Sequence, residues 1–185
     1  MRSGKLLPSL LFALAATAAP SGAAADLKVV ATTSEYAALA TAVGGDRVAV
    51  TTIAKPTEDP HFVDARPSQI VAMNRADVLI EGGAELEIGW LPPLLDGARN
   101  PRILVGAPGH VVASAGIQLL DIPAAADRSQ GDTHLAGNPH FMLDPENARV
   151  VAAHLARVFT SLDAAGKAVF DSNLAAFDGA LTTKM

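Results

Sequence analysis

The stretch that determines the fold class runs from residue 27 to residue 53 and reads LKVVATTSEYAALATAVGGDRVAVTTI. Residues 27–32 form a short apolar, β-branched run, which is typical of a buried strand. Residues 35–43 have the character of a helix, and Gly44-Gly45 provides a usual helix stop. Residues 47–53 alternate and are rich in Val and Thr, so they predict a second strand, parallel to the first when the helix crosses over. The stretch therefore predicts a βαβ unit.

The same alternation of elements continues along the chain. A helix is expected over residues 67–76, a strand over 77–80, a helix over 87–98 and a further strand over 102–105. Residues 106–137 are rich in Gly, Pro and Asp and show little periodicity, so they predict a long loop. Together these elements predict an α/β fold, a parallel-sheet lobe with flanking helices.

Helical periodicity dominates the last part of the chain. Asp144 and Pro145 form a strong helix start, with Asp as the N-cap and Pro at the first helical position. Two apolar series with helical spacing follow, and no Gly or Pro terminator precedes Met185, so we expect the chain to end within a helix. The two series are Val151, Leu155, Val158 and Leu162, and then Phe170, Leu174, Phe177 and Leu181.

The first 25 residues predict a secretory signal peptide. A charged start with Arg2 and Lys5 precedes an apolar stretch, and Ala23-Ala24-Ala25 is a small-residue cleavage site. The apolar stretch is shorter than the roughly 20 residues needed to span a bilayer. We therefore expect a mature chain beginning near Asp26, with an α/β lobe over residues 26–143 and a helical segment over 144–185.

Composition restricts the partners and the location. The chain contains no cysteine, so disulfides and thiolate metal sites are excluded, and we expect a periplasmic protein without a lipid-anchor cysteine. Its net charge is −5 and its 14 basic residues are scattered singly, which argues against binding to nucleic acid. Any bound metal ion must use nitrogen and oxygen ligands.

Two tripeptides of matching design, Asp59-Pro60-His61 and Asn138-Pro139-His140, are candidate metal-binding turns. Proline fixes its own φ and makes the preceding residue extended, so each histidine is held on a stiff turn. Asp64 lies three residues after His61, and Asp144 four after His140. A carboxylate that accepts the second ring N–H fixes the orientation of a ligand histidine. Asp64 is thus a candidate second-shell group, whereas Asp144 has a competing role as N-cap.

Pro-His pairs in loops are also common as ordinary surface turns, and the spacing of the two tripeptides matches no metal-ligand rule.

Several other side chains are weaker candidates for a functional site. His134, six residues before His140, is an auxiliary metal-capturing residue or a plain loop histidine. We expect His110 and His154 to be structural. The remaining candidates are Trp90 and Leu91, for which we favour core packing, and Glu81, Glu85 and Glu87, for which we expect a solvated rim.

The sequence around both histidines resembles the zinc/manganese solute-binding proteins of metal ABC importers. The matching stretches are residues 54–61, AKPTEDPH, and residues 131–145, GDTHLAGNPHFMLDP, with supporting matches at 30–33, 75–80 and Trp90-Leu91. The resemblance implies two α/β lobes joined by a long helix, with the metal ion between the lobes. Residues 26–185 resemble the first lobe and the start of that helix.

From this resemblance, His61 and His140 are expected to bind zinc, with manganese as the alternative metal ion. Two further ligands of the family, drawn from His, Glu or Asp, lie in the second lobe and have no counterpart in these residues. The resemblance further implies a monomeric binding protein, not an enzyme, that delivers the metal ion to the membrane permease of an ABC importer.

Two other functional classes stay open at this stage. A metal-dependent hydrolase would use two histidines and a carboxylate around zinc, with an open position for water. Such an enzyme also needs a general base, and the sequence contains no His-Glu-x-x-His helix or comparable motif. A surface adhesin or a metal-storage module is the second alternative, because a binding scaffold does not by itself identify its user.

Overall fold

The computed structural model describes residues 27–123 and 134–185. Four parallel strands form one sheet in the order β2-β1-β3-β4. The parallel α/β lobe predicted from the sequence is confirmed. The predicted signal peptide, residues 1–25, lies outside the described residues. The strands are β1 (Leu27–Ala31), β2 (Val48–Thr52), β3 (Val78–Glu81) and β4 (His110–Val112).

Five α-helices surround this sheet in the described part of the chain. None of them is both long enough and apolar enough to cross a membrane. A short 3-10 turn precedes each of the last two helices, which are the longest of the five. The helices are α1 (Ser34–Gly44), α2 (Pro67–Arg75), α3 (Leu91–Ala98), α4 (Pro145–Leu162) and α5 (Lys167–Lys184).

The sheet separates two apolar cores, because successive side chains of a strand point to opposite faces. Val29 belongs to the core formed with α1, α4 and α5, which also contains the fully buried Leu155 and Phe159. Val30 belongs to the opposite core, where Leu94 of α3 is buried. The predicted C-terminal helical segment therefore shares the core of the lobe.

The fourth strand differs from the prediction. The strand expected over residues 102–105 is wrong, because Pro101–Ile103 is a 3-10 turn and Val105 is 84% exposed. The side chain of Asn100 starts this turn by accepting a hydrogen bond from the backbone of Arg102. The strand lies instead at His110–Val112, inside the predicted loop, where it pairs with β3. Helix α3 also begins at Leu91 rather than at residue 87.

Candidate metal site

Both Pro-His turns lie at the carboxyl edge of the sheet. The His61 turn follows β2, and the His140 turn precedes the Asp144 cap of α4, whose carboxylate accepts the backbone N–H of Glu146 at 2.9 Å. In parallel sheets this edge is the usual place for ligands. Between the two turns lies a cavity of about 290 Å³. It is lined by Glu35, Tyr36, Pro60, Leu86, Pro139, His140, Met142 and Leu143.

The His61 turn is held by two side chains, those of Asp59 and Trp90. The carboxylate oxygen Oδ1 of Asp59 accepts the backbone N–H of His61 at 2.9 Å and lies 2.8 Å from ring atom Nδ1. The indole N–H of Trp90 donates to the carbonyl of Pro60 at 2.8 Å, which anchors the turn itself. Because an ionised carboxylate only accepts hydrogen bonds, Asp59 favours the proton on Nδ1 and leaves the lone pair of Nε2 for a metal ion.

Asp59 thus has the position that the sequence suggested for Asp64. Asp64 is exposed, and the carboxylate on Nδ1 of His61 is that of Asp59. The reason is local geometry, since an Asp two residues before a histidine can contact both its backbone N–H and its ring. The backbone N–H of His61, and after it the ring, lower the pKa of the Asp59 carboxyl.

The His140 turn repeats half of this design. The side-chain oxygen of Asn138 accepts the backbone N–H of His140 at 3.0 Å, the same arrangement that Asp59 makes with His61. The amide of Asn138 donates to Asp121 at 3.1 Å. An asparagine carries no charge to pair with the ring, so this turn orients the backbone of His140 alone.

The three histidines named from the sequence as direct or auxiliary ligands lie together. Nε2 of His61 is 3.1 Å from Nε2 of His134, and the centroids of these two rings are 5.1 Å apart. The centroid of the His140 ring is 5.3 Å from that of His61, and the two rings meet edge to face. Two nitrogens at adjacent corners of a tetrahedral zinc site are separated by about 3.3 Å, given Zn–N bonds of about 2.0–2.1 Å. The spacing of His61 and His134 is close to that value.

His134, predicted from the sequence as an auxiliary metal-capturing residue or a plain loop histidine, lies in a segment that a hydrogen bond anchors. Its neighbour Leu135 donates its backbone N–H to Glu85 at 2.7 Å, which ties this segment to the turn after β3. Glu85 reaches this position from a left-handed backbone conformation, with φ of 66°. The described residues contain no group of three or more His, Asp or Glu side chains that converge on one metal ion. His61 is accordingly the shared member of two imidazole pairs.

The other two histidines lie elsewhere. His110 starts β4, and its Nε2 lies 2.8 Å from the carboxylate of Glu81 on the neighbouring strand, which raises the pKa of the His110 ring against the opposing effect of burial. Burial, and then the charge of Arg157, lower the pKa of His154 in α4.

The rim predicted for the three glutamates is wrong in one case. Glu87 is 2% exposed and binds the hydroxyl of Thr32 at 2.6 Å. Its burial could not be expected from a polar residue in a stretch that also contains Glu81 and Glu85.

Comparison with protein families identifies the chain. The family model described as zinc-uptake complex component A periplasmic, ZnuA, matches residues 29–184. The chain belongs to the ZnuA family. Among the solved structures that resemble this ZnuA-family chain is a ZnuA deletion mutant plus zinc bound, with a TM-score of 0.67 and 23% identity over 85% of this chain and 55% of that one. This similarity confirms the fold.

The names of curated relatives refer to different metals. The iron ABC transporter substrate-binding lipoprotein MtsA of Streptococcus pyogenes serotype M1 is 27% identical over 91% of this chain and 52% of its own length. The manganese ABC transporter substrate-binding lipoprotein PsaA of Streptococcus anginosus is 26% identical over 92% of this chain and 55% of its own length. The chain spans about half the length of the curated relatives that it matches.

Proposed function

We propose that this ZnuA-family chain binds a divalent transition metal ion outside the cytoplasm for delivery to the permease of an ABC importer. Zinc is the favoured metal ion, and manganese is the alternative. The proposal is supported mainly by the contacts of the His61 imidazole. Asp59 holds its Nδ1 at 2.8 Å, Nε2 lies 3.1 Å from Nε2 of His134, and the ring contacts that of His140. The metal ion is cargo, so binding and release are the whole mechanism.

The donor set supports zinc. Neutral imidazole nitrogen suits zinc better than manganese, which prefers carboxylate and water oxygens. We propose His61 and His140 as direct ligands and His134 as an auxiliary imidazole beside His61. A closed zinc site has four ligands, so two direct imidazole ligands leave positions for other donors. The names of the relatives, which include iron, manganese and zinc, support a metal cargo without choosing one.

Zinc titration tests the metal site directly. We expect the mature chain to bind zinc in isothermal titration calorimetry, and His61→Ala and His140→Ala each to abolish measurable binding, because each removes a direct ligand. His154→Gln is the matched control, since it also removes one imidazole but from α4. Unchanged zinc affinity in both ligand variants would refute the site. Titration with manganese under the same conditions decides between the two metals.

Delivery requires a second experiment in cells. A strain that expresses the protein with its importer should accumulate radioactive zinc, and the His61→Ala variant should not support this uptake. Ester or phosphate turnover by the zinc-loaded chain would favour the hydrolase alternative instead. Zinc binding with neither uptake nor turnover would favour the adhesin or storage module. Fractionation of the same cells locates the protein in or outside the periplasm.

A further inference from the structure

Glu87, in the segment between β3 and α3, carries a buried carboxylate. Glu87 is 2% exposed, and its Oε1 accepts hydrogen bonds from the hydroxyl of Thr32 at 2.6 Å and from the backbone N–H of Gly82 at 2.7 Å. Its Oε2 accepts the N–H of Gly83 at 3.3 Å. Thr32 follows β1 and the two glycines follow β3, so one side chain joins the carboxyl ends of two neighbouring strands. Burial raises the pKa of this carboxyl, and the three donors oppose that effect.

One branch of contacts leads from Glu87 to His61. The backbone carbonyl of Glu87 accepts the N–H groups of Trp90 at 3.1 Å and of Leu91 at 2.9 Å, which sets the start of α3. The indole N–H of Trp90 in turn donates to the carbonyl of Pro60, the residue before His61. Trp90 is 4% exposed, so its ring has little freedom to move independently of this turn.

A second branch leads towards His140. A Cβ atom at Gly82 would lie 2.9 Å from the hydroxyl oxygen of Tyr36 and 3.2 Å from Oε1 of Glu87, so both groups occupy the space that this glycine leaves open. Burial, followed by the charge of Glu87, raises the pKa of Tyr36. The Tyr36 ring stacks on Phe141, the residue after His140, with 6.5 Å between centroids.

We propose that Glu87 is a positioning residue for the metal site, which holds the two Pro-His turns in place through Trp90 on one side and Tyr36 on the other. This inference rests on the proposed function. A ligand constellation binds tightly only when its supporting hydrogen bonds restrict the ligands to one geometry. Glu87 supplies that support from the carboxyl ends of β1 and β3, the two central strands of the sheet.

The test must separate positioning from stability, since any buried hydrogen-bonded carboxylate also stabilises the fold. Glu87→Gln keeps the size of the side chain but presents an NH2 group, which can only donate, to the N–H of Gly83. Thr32→Val removes the hydroxyl donor and retains the shape. Leu94→Ala is the control, because it removes a 1% exposed apolar side chain from α3 and none of the hydrogen-bonding groups of the network.

We expect zinc affinity to fall about 10- to 100-fold in Glu87→Gln, the range found for supporting groups around metal ligands, and to fall less in Thr32→Val. Titrations are made at a temperature where circular dichroism shows every variant fully folded. The absorption spectrum of bound Co²⁺ should also change in Glu87→Gln. Leu94→Ala should lower the melting temperature and leave affinity and spectrum unchanged.

Two outcomes would overturn the inference: wild-type zinc affinity in a folded Glu87→Gln, or an equal loss of affinity in Leu94→Ala. Absence of zinc binding by the wild-type protein would instead refute the proposed function. In that case NMR of the metal-free protein still tests positioning. The ring signals of His61 and His140 should shift in Glu87→Gln and in Thr32→Val but not in Leu94→Ala, and unshifted signals would contradict the proposal.

Discussion

At the scale of single residues, Asp59 makes two contacts with His61, whereas Asn138 makes only one of the two with His140. Its Oδ1 accepts the backbone N–H of His61 and also faces Nδ1 of the ring. Asn138 makes only the backbone contact with His140. The two turns therefore share one backbone design, and the negative charge next to the ring is found only at His61.

Asp59→Asn isolates this charge. The amide oxygen of Asn can still accept the backbone N–H of His61, so we expect the turn to persist. The negative charge that faces Nδ1 disappears, and zinc affinity should fall about 10- to 100-fold, because a carboxylate partner raises the basicity of a ligand histidine. Calorimetric titration near neutral pH measures the effect. Asp64→Asn is the control, and an equal loss there would show that Asp64 rather than Asp59 supports His61.

At the scale of elements, an ion pair and a glycine hold the corner between α4 and α5. The guanidinium of Arg47, which precedes β2, binds Asp163 with 2.6 Å between Nη2 and Oδ2. The same aspartate accepts the backbone N–H of Gly166 at 3.2 Å. Both charged side chains are mostly buried, at 18% and 15% exposure, so this ion pair is screened less by solvent than a surface pair. The corner attaches the helical segment to the lobe.

Gly166→Ala should destabilise the fold by about 1–3 kcal/mol, the usual cost of overpacking. A Cβ atom there would lie 2.5 Å from Nε of Arg47 and 2.6 Å from both Oδ2 of Asp163 and Cε2 of Phe170. Gly179→Ala in α5 is the matched control, since its Cβ would meet nothing within 4 Å. Alanine there should leave stability unchanged or raise it by up to about 1 kcal/mol. Urea unfolding measures both; equal effects would contradict the packing argument.

At the scale of the whole molecule, two partly buried histidines make stability depend on pH in opposite directions, because folding raises the pKa of one and lowers that of the other. The Glu81 carboxylate raises the pKa of His110, so folding favours the protonated ring there. This contribution is complete below the ordinary histidine pKa of about 6.5 and is lost as pH rises through the raised value. Burial lowers the pKa of His154, so its contribution is lost as pH falls.

Comparison of the wild type with Glu81→Gln isolates the first contribution, because His154 is the same in both proteins. We expect the stability advantage of the wild type to be larger at about pH 6 than at about pH 8.5, because the rise in pH through the raised pKa of His110 removes the charge of its ring. Urea unfolding at the two pH values gives the difference. An advantage of equal size at both values would show that the charge of His110 does not contribute.

The candidate site shows how far local patterns reach. The Asp-Pro-His and Asn-Pro-His turns could be recognised because proline stiffness and a side-chain acceptor two residues before the histidine are local features. The pairing of His61 with His134, across 73 residues, has no local signal. The burial of Glu87 is equally invisible, since its partner Thr32 lies 55 residues away. The residues adjacent to His134 and Glu87 in the chain do not indicate either contact.

The sequence by itself determined the parallel α/β lobe, the helix start at Asp144 and the family. Apolar periodicity, glycine stops and capping residues act over a few positions and suffice for these. Only the tertiary structure decided the place of β4, the choice of Asp59 over Asp64 and the meeting of three histidines at one edge of the sheet. Strand β4 has three residues, too few for a periodic signal, and is defined by its pairing with β3. The deciding contacts for the strand and the histidines join distant parts of the chain, whereas the choice of Asp59 depends on the folded shape of a single turn.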